Sequence, residues 1–151
     1  MNLFLDTNAL VKLYHIETGS QELLKFIEEN SQWLILTITD LSKIEFHSTF
    51  LKRVRTGNIT KERVTTIFNY FDNDLKQFNI VEIDYKIKNF AIDLLDFTAA
   101  FQSLRTLDAL QLSSAIISNQ MITVDYFVSS DHKLNKIAES YFNIFNPEIG
   151  G

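Results

Sequence analysis

The sequence predicts an α/β fold: a three-layer α/β/α sandwich around a mostly parallel five-stranded sheet. Three observations carry that expectation. Short apolar runs alternate with longer stretches of helical periodicity, and cap and turn residues separate them. The strand-then-helix order also repeats along most of the 151 residues, which favours parallel strands covered on both faces.

The elements follow in order. "NLFLD" (2–6) reads as a buried strand and "TNALVKLY" as a short helix. Gly19 and Ser20 introduce a second helix, "QELLKFIEEN", with Ser20 as its cap. "WLILTI" (33–38) is the next strand, followed by a helix from Leu41 to Arg55 whose apolar arc is Leu41, Ile44, Phe46, Phe50, Leu51 and Val54. Gly57 and Asn58 make a turn, and Thr60 caps an amphipathic helix reaching Phe78. "NIVEID" (79–84) is a third strand, and two helices over 85–102 and 107–120 follow, the second capped by Thr106. "DYFVSS" (125–130) is a fourth strand, "DHKLNKIAES" a short helix and "YFNIF" (141–145) the last strand. No repeat or linker interrupts the chain, and the single proline, Pro147, lies near its end, so one domain over 1–151 is expected.

Composition excludes some functions. There are no cysteines, which rules out disulfides and thiolate zinc sites and fits a reducing cytoplasm. No apolar run approaches the roughly 20 residues needed to cross a bilayer, and "MNLFLDTN" lacks the basic leader of a secretory signal, so no membrane association is expected. The net charge of −5 argues against holding nucleic acid by bulk electrostatics, but not against acids at a catalytic centre beside a local basic patch.

Four acids stand out by position. Asp6 ends the first strand and Asp131 the fourth; Asp108 falls in the first turn of a helix; Glu45 lies near the start of a helix fed directly by a strand. Each has an ordinary explanation alone: a helix cap for Asp6 and Asp131, a dipole partner for Asp108, a surface residue for Glu45. Ligands of open parallel sheets bind beyond the carboxyl ends of the strands, and there the four would meet. Two charges 4 Å apart at an effective dielectric of 20 repel by about 4 kcal/mol, so such a cluster needs a cation or raised pKa values. Oxygen-only ligands favour Mg²⁺ or Mn²⁺ over zinc.

These segments resemble the PIN domain, in particular the small ribonucleases of the VapC toxin type, over nearly the whole chain. "FLDTNALV" resembles the opening strand with the first acid, Asp6; "LSKIEFHSTF" the segment with the second, Glu45; "LRTLDALQLSSA" the third, Asp108; and "FVSSDHKL" the last, Asp131, with Ser129 where a Thr or Ser stands. The chain departs at Gln111, where relatives often carry His. The resemblance implies that Asp6, Glu45, Asp108 and Asp131 are catalytic and hold one or two Mg²⁺ or Mn²⁺ ions. It implies endoribonuclease chemistry in which a metal-activated water leaves 5′-phosphate and 3′-hydroxyl ends. It also implies a homodimer and a small antitoxin partner that covers the site.

Supporting roles are expected for Asn8, beside Asp6, and Ser129. "LKRVRTGNITKER" (51–63) holds five basic residues, of which Lys52, Arg53 and Arg55 are candidate RNA phosphate contacts, together with Arg105, three residues before Asp108. His15, His47 and His132 lack metal-ligand spacing, and the thirteen Phe read as core and interface. The alternative is a non-catalytic RNA-binding or protein-interaction module on the same fold. An aspartyl-phosphate enzyme fits poorly, because Asn8 stands where a second acid is needed.

Overall fold

Leu3 and Leu5 pack into one apolar cluster and Phe4 into another, so the period-two alternation of a strand places β1 (Asn2–Leu5) between two cores. The computed structural model describes residues 1–149. Its sheet is all-parallel in the order β3-β2-β1-β4-β5, with β2 at Ile35–Thr39, β3 at Asn79–Val81, β4 at Tyr126–Val128 and β5 at Asn143–Phe145. The helices are α1 (Thr7–Lys12), α2 (Ser20–Glu29), α3 (Asp40–Arg55), α4 (Lys61–Asp74), α5 (Tyr85–Thr98), α6 (Thr106–Ser118) and α7 (His132–Ala138). One cluster joins β1 and β2 to α1–α4; the other joins Phe4 and Phe127 to α5–α7. This is the expected three-layer sandwich.

Strands run outward from β1 to β2 and β3, and the chain then returns to add β4 on the other side of β1. Strand order therefore reverses between β1 and β4, and a crevice opens beyond their carboxyl ends. Asp6 follows β1 there, and Ser129 to Asp131 follow β4.

Several element boundaries differ from the sequence reading, each for a local reason. Trp33 is not in a strand: it adopts φ 64° in a turn and is 85% exposed. β2 starts only where the Ile35 N–H reaches the Met1 carbonyl at 2.8 Å. Ser20 is the first residue of α2, not its cap. Its hydroxyl instead ties the preceding loop, accepting from the Glu17 N–H and donating to the His15 carbonyl. Gly19 precedes it at φ 85°, where a Cβ would lie 2.8 Å from the Pro147 carbonyl carbon. Thr106 likewise begins α6, with Arg105 at the cap position. β3 stops at Val81 because Asp84 turns to accept from the Ile87 N–H as cap of α5.

The apolar arc assigned to α3 is also narrower than expected. Phe46 and Phe50 are buried, while Ile44 and Leu51 are exposed. The hidden side is aromatic: Phe46 stacks on Phe71 of α4 at 4.1 Å and meets Phe50 and the edge of Tyr14. Truncation of such a ring costs roughly 3–5 kcal/mol, whereas an exposed change stays within about 0.5 kcal/mol. Urea unfolding of Phe46→Ala should show the larger loss and Ile44→Ala the smaller, whereas comparable losses would mean that both residues belong to the buried arc.

Candidate active site

Asp6 ends β1 with its backbone N–H donating to the Val128 carbonyl at 3.0 Å, the last link between β1 and β4. Its side chain serves two structural tasks. Oδ1 accepts from the Thr7 N–H at 2.7 Å, capping α1. Oδ2 accepts from Asn8 Nδ2 at 2.5 Å and from Ser129 Oγ at 2.9 Å. Asn8 in turn accepts from the Ser130 N–H through Oδ1 at 2.8 Å, so it fastens α1 to the loop after β4.

Asp131 caps α7, its Oδ1 accepting from the N–H groups of Lys133 and Leu134 at 2.8 and 3.0 Å. Asp108 stands half-buried in the first turn of α6. Glu45 faces inward from α3: Oε2 accepts from Thr7 Oγ1 at 2.6 Å and from Gln111 Nε2 at 2.9 Å.

All four acids line one cavity of about 260 Å³, together with Thr7, Asn8, Val11, Glu17, Thr49 and Arg53. Ser129 reaches it through its bonds to Asp6 and Asn8. Of the basic candidates only Arg53 lines the cavity; Lys52, Arg55 and Arg105 are exposed and outside its lining.

Glu17 and Thr49 were not singled out from the sequence. Glu17 sits in the α1–α2 loop and takes Arg53 Nη2 at 2.5 Å and Lys12 Nζ at 3.1 Å. Burial by itself raises the Glu17 pKa, but the two cations outweigh it and hold the carboxyl below its usual range. Lys12, buried, also reaches Glu148 at 2.8 Å and the Thr18 carbonyl at 2.8 Å. Arg53 lies over the Phe50 ring at 5.5 Å. No sequence spacing signals this chain of charges, because it links α1, the α1–α2 loop, α3 and the segment after β5.

The acids sense one another. Burial pushes Asp6 up to about 7, repulsion from Glu45 and Asp108 adds to this, and the Ser129 and Thr7 hydrogen bonds oppose it. Asp108 is raised by burial first and by Asp131 next, with Arg105 pulling down and Glu45 pushing up. The donor set is all oxygen, and Arg53, the one cation among the lining residues, is already engaged by Glu17. Such a set suits a hard divalent ion. Among the described residues no three or more His, Asp or Glu side chains stand close enough together to hold a metal ion as they are placed.

The Asp6 shift has a sign. Its folded pKa is raised, so between about pH 4 and 7 the native state holds a proton that the unfolded chain has released. Metal-free stability is therefore fullest below that window and falls as pH rises through it, by on the order of 4 kcal/mol from this group. Urea unfolding from pH 4.5 to 8 should show the decline in wild type and a flatter profile in Asp6→Asn; equal slopes would mean that Asp6 titrates normally.

The PIN domain family matches residues 3–140. No curated relative matches the sequence. Among solved structures, VapBC2 from Rickettsia felis, bound to a DNA fragment of its promoter, aligns at 17% identity and TM-score 0.67, covering 97% of this chain and 98% of that one. FitAcB from Neisseria gonorrhoeae aligns at 12% identity and TM-score 0.68, covering 96% and 97%. VapC20 from Mycobacterium tuberculosis, a toxin that cleaves the sarcin-ricin loop, aligns at 9% identity and TM-score 0.63, covering 89% and 94%. These similarities concern the fold. With its family match spanning most of the sequence and its acids gathered at the strand-order reversal, this chain belongs to the PIN domain family.

Proposed function

We propose that the protein is a divalent-metal-dependent endoribonuclease of the VapC toxin type. The observation that carries this reading is the shared cavity: carboxylates from four separate elements line one space at the carboxyl edge of the sheet. A scaffold needing only helix caps has no reason to collect them.

Asp6, Glu45, Asp108 and Asp131 would hold one or two Mg²⁺ or Mn²⁺ ions. The bound ion supplies activation of water and neutralisation of charge on the phosphodiester, leaving 5′-phosphate and 3′-hydroxyl ends. The chain's own residues prepare the place. Asn8 and Ser129 hold Oδ2 of Asp6, and Asp131 commits Oδ1 to α7, leaving Oδ2 for the cavity side. Arg53 offers further guanidinium donors beyond the one that meets Glu17, which suits an RNA phosphate. Lys52, Arg55 and Arg105 would extend that contact over the exposed rim.

A small antitoxin that covers the cavity and a homodimer are the expected partners, as VapBC complexes are the structural neighbours. Among the described residues no helix is long and apolar enough to cross a membrane, and cytoplasmic action is proposed. A short reading frame overlapping just upstream would identify the toxin arrangement; a solitary gene would favour a processing nuclease.

Purified protein should cleave RNA with Mg²⁺ or Mn²⁺, and Asp6→Asn or Asp108→Asn should lose at least about 100-fold, more than an outer residue of a metal site typically costs. Equal cleavage by wild type and variants would trace the activity to a contaminant, and metal-independent binding without turnover would favour the non-catalytic module. Arg53→Ala should raise KM more than it lowers kcat and flatten the salt dependence of RNA binding; an unchanged KM would remove Arg53 from the phosphate contact.

A further inference from the structure

Gln111 is buried to 1% exposure in the middle of α6, a position where an unpaired carboxamide would be costly. It is fully engaged. Its Nε2 lies 3.0 Å from Thr7 Oγ1, 3.0 Å from Ser42 Oγ and 2.9 Å from Glu45 Oε2. Its Oε1 accepts from Thr39 Oγ1 at 3.2 Å. One side chain therefore joins the start of α1, the β2–α3 junction and α6, and these elements carry Asp6, Glu45 and Asp108 respectively.

We propose that Gln111 is the positioning residue of the cavity: its carboxamide, with the Thr7 hydroxyl, pins Oε2 of Glu45 so that Oε1 is left for the ion or its waters. Glu45 needs such a device more than the other acids. Asp6 and Asp131 are short side chains fixed by the backbone N–H groups they cap. Glu45 sits in mid-helix on a longer stem with three rotatable bonds, and its Oε2 takes both of its bonds from side chains outside α3. Gln111 is suited to the task because it offers donors and an acceptor at once. The acceptor takes Thr39, and Thr39 also caps α3 by accepting from the Ser42 N–H, so the network fixes the helix start as well as the carboxylate. Outer groups of this kind orient the ligands of metal sites.

The inference rests on the metal-nuclease reading, and the test separates the two. Gln111→Met keeps length and apolar volume but removes every donor. Mn²⁺ titration followed by melting temperature should show a midpoint about 10–100-fold higher than in wild type. Gln111→His, which retains a ring N–H, should recover most of that loss. In a Glu45→Ala background, Gln111→Met should add nothing further, since its effect passes through Glu45. A crystal structure of the variant should show Glu45 in more than one rotamer. Should Gln111→Met fail to fold, Gln111→Ser leaves room for water at Thr39 and Ser42 without reaching Glu45, and is judged by the same criteria. A wild type that responds to Mn²⁺ beside a folded variant with the same midpoint overturns the positioning role alone. A wild type that neither responds to Mn²⁺ nor cleaves RNA overturns the nuclease reading and this inference with it.

Discussion

The constraint on which the site depends is the close gathering of like charges in a partly desolvated space. Burial and repulsion act together on Asp6, and repulsion reaches Asp108 from two directions. A fold tolerates this only by surrounding each carboxylate with donors. Asp6 receives a backbone N–H, an amide and a hydroxyl; Asp131 receives two N–H groups; Glu45 receives a hydroxyl and an amide; Asp108 has Arg105. For Asp6 the Ser129 and Thr7 bonds lower the pKa, yet burial still wins. The remaining imbalance is what a divalent ion would relieve.

Capping and the proposed chemistry are therefore joint uses of one group. A carboxylate carries about four lone-pair sites, and holding a helix start occupies one or two of them. Asp131 places the amides of α7 on one oxygen and keeps the other for the cavity side, whereas Asp6 caps α1 with Oδ1 and gives Oδ2 to Asn8 and Ser129, so its spare capacity is the second lone pair of Oδ1. The cap also makes the site rigid, because the strand end, the helix start and the acid share one set of bonds. Parallel topology then brings two such junctions side by side, since β1 and β4 are neighbours although they are far apart in sequence.

Much of this was legible in the residues. Strand runs ending in acids announced the sheet edge, and the first-turn position of Asp108 placed a third carboxylate at a helix start on that edge. Strand ends and caps are local signals, set by neighbours within a few residues. The misplaced features are tertiary. Ile44 and Leu51 have the composition of a buried face, but α4 packs aromatically against Phe46 and Phe50 and leaves them in solvent. Trp33 has strand propensity, but the register between Met1 and Ile35 starts β2 two residues later. Glu17 and Thr49 entered the cavity lining with no motif to mark them. Gln111 was visible only as a departure from a pattern, and its bonds to three other segments explain what a neutral carboxamide does there.

On the nuclease reading, an acidic protein must concentrate its attraction for a polyanion where the substrate would sit. The chain from Glu148 through Lys12 and Glu17 to Arg53 would do this without changing the overall charge. Its four members sum to zero, and Glu17 and Arg53, the two that line the cavity, form a neutral pair that does not deepen its negative potential. Lys12 is spent internally, being buried and bonded to two carboxylates and a carbonyl. Arg53 is not: it is half-buried, stacked over Phe50, and its planar fork has five donors against one bond to Glu17. Glu17 thus works as a bracket, with Lys12 securing it from behind so that it can hold a guanidinium at the mouth of the cavity. The same bracket ties the segment after β5 to α1, so the cation that faces the cavity is positioned by residues from opposite ends of the chain.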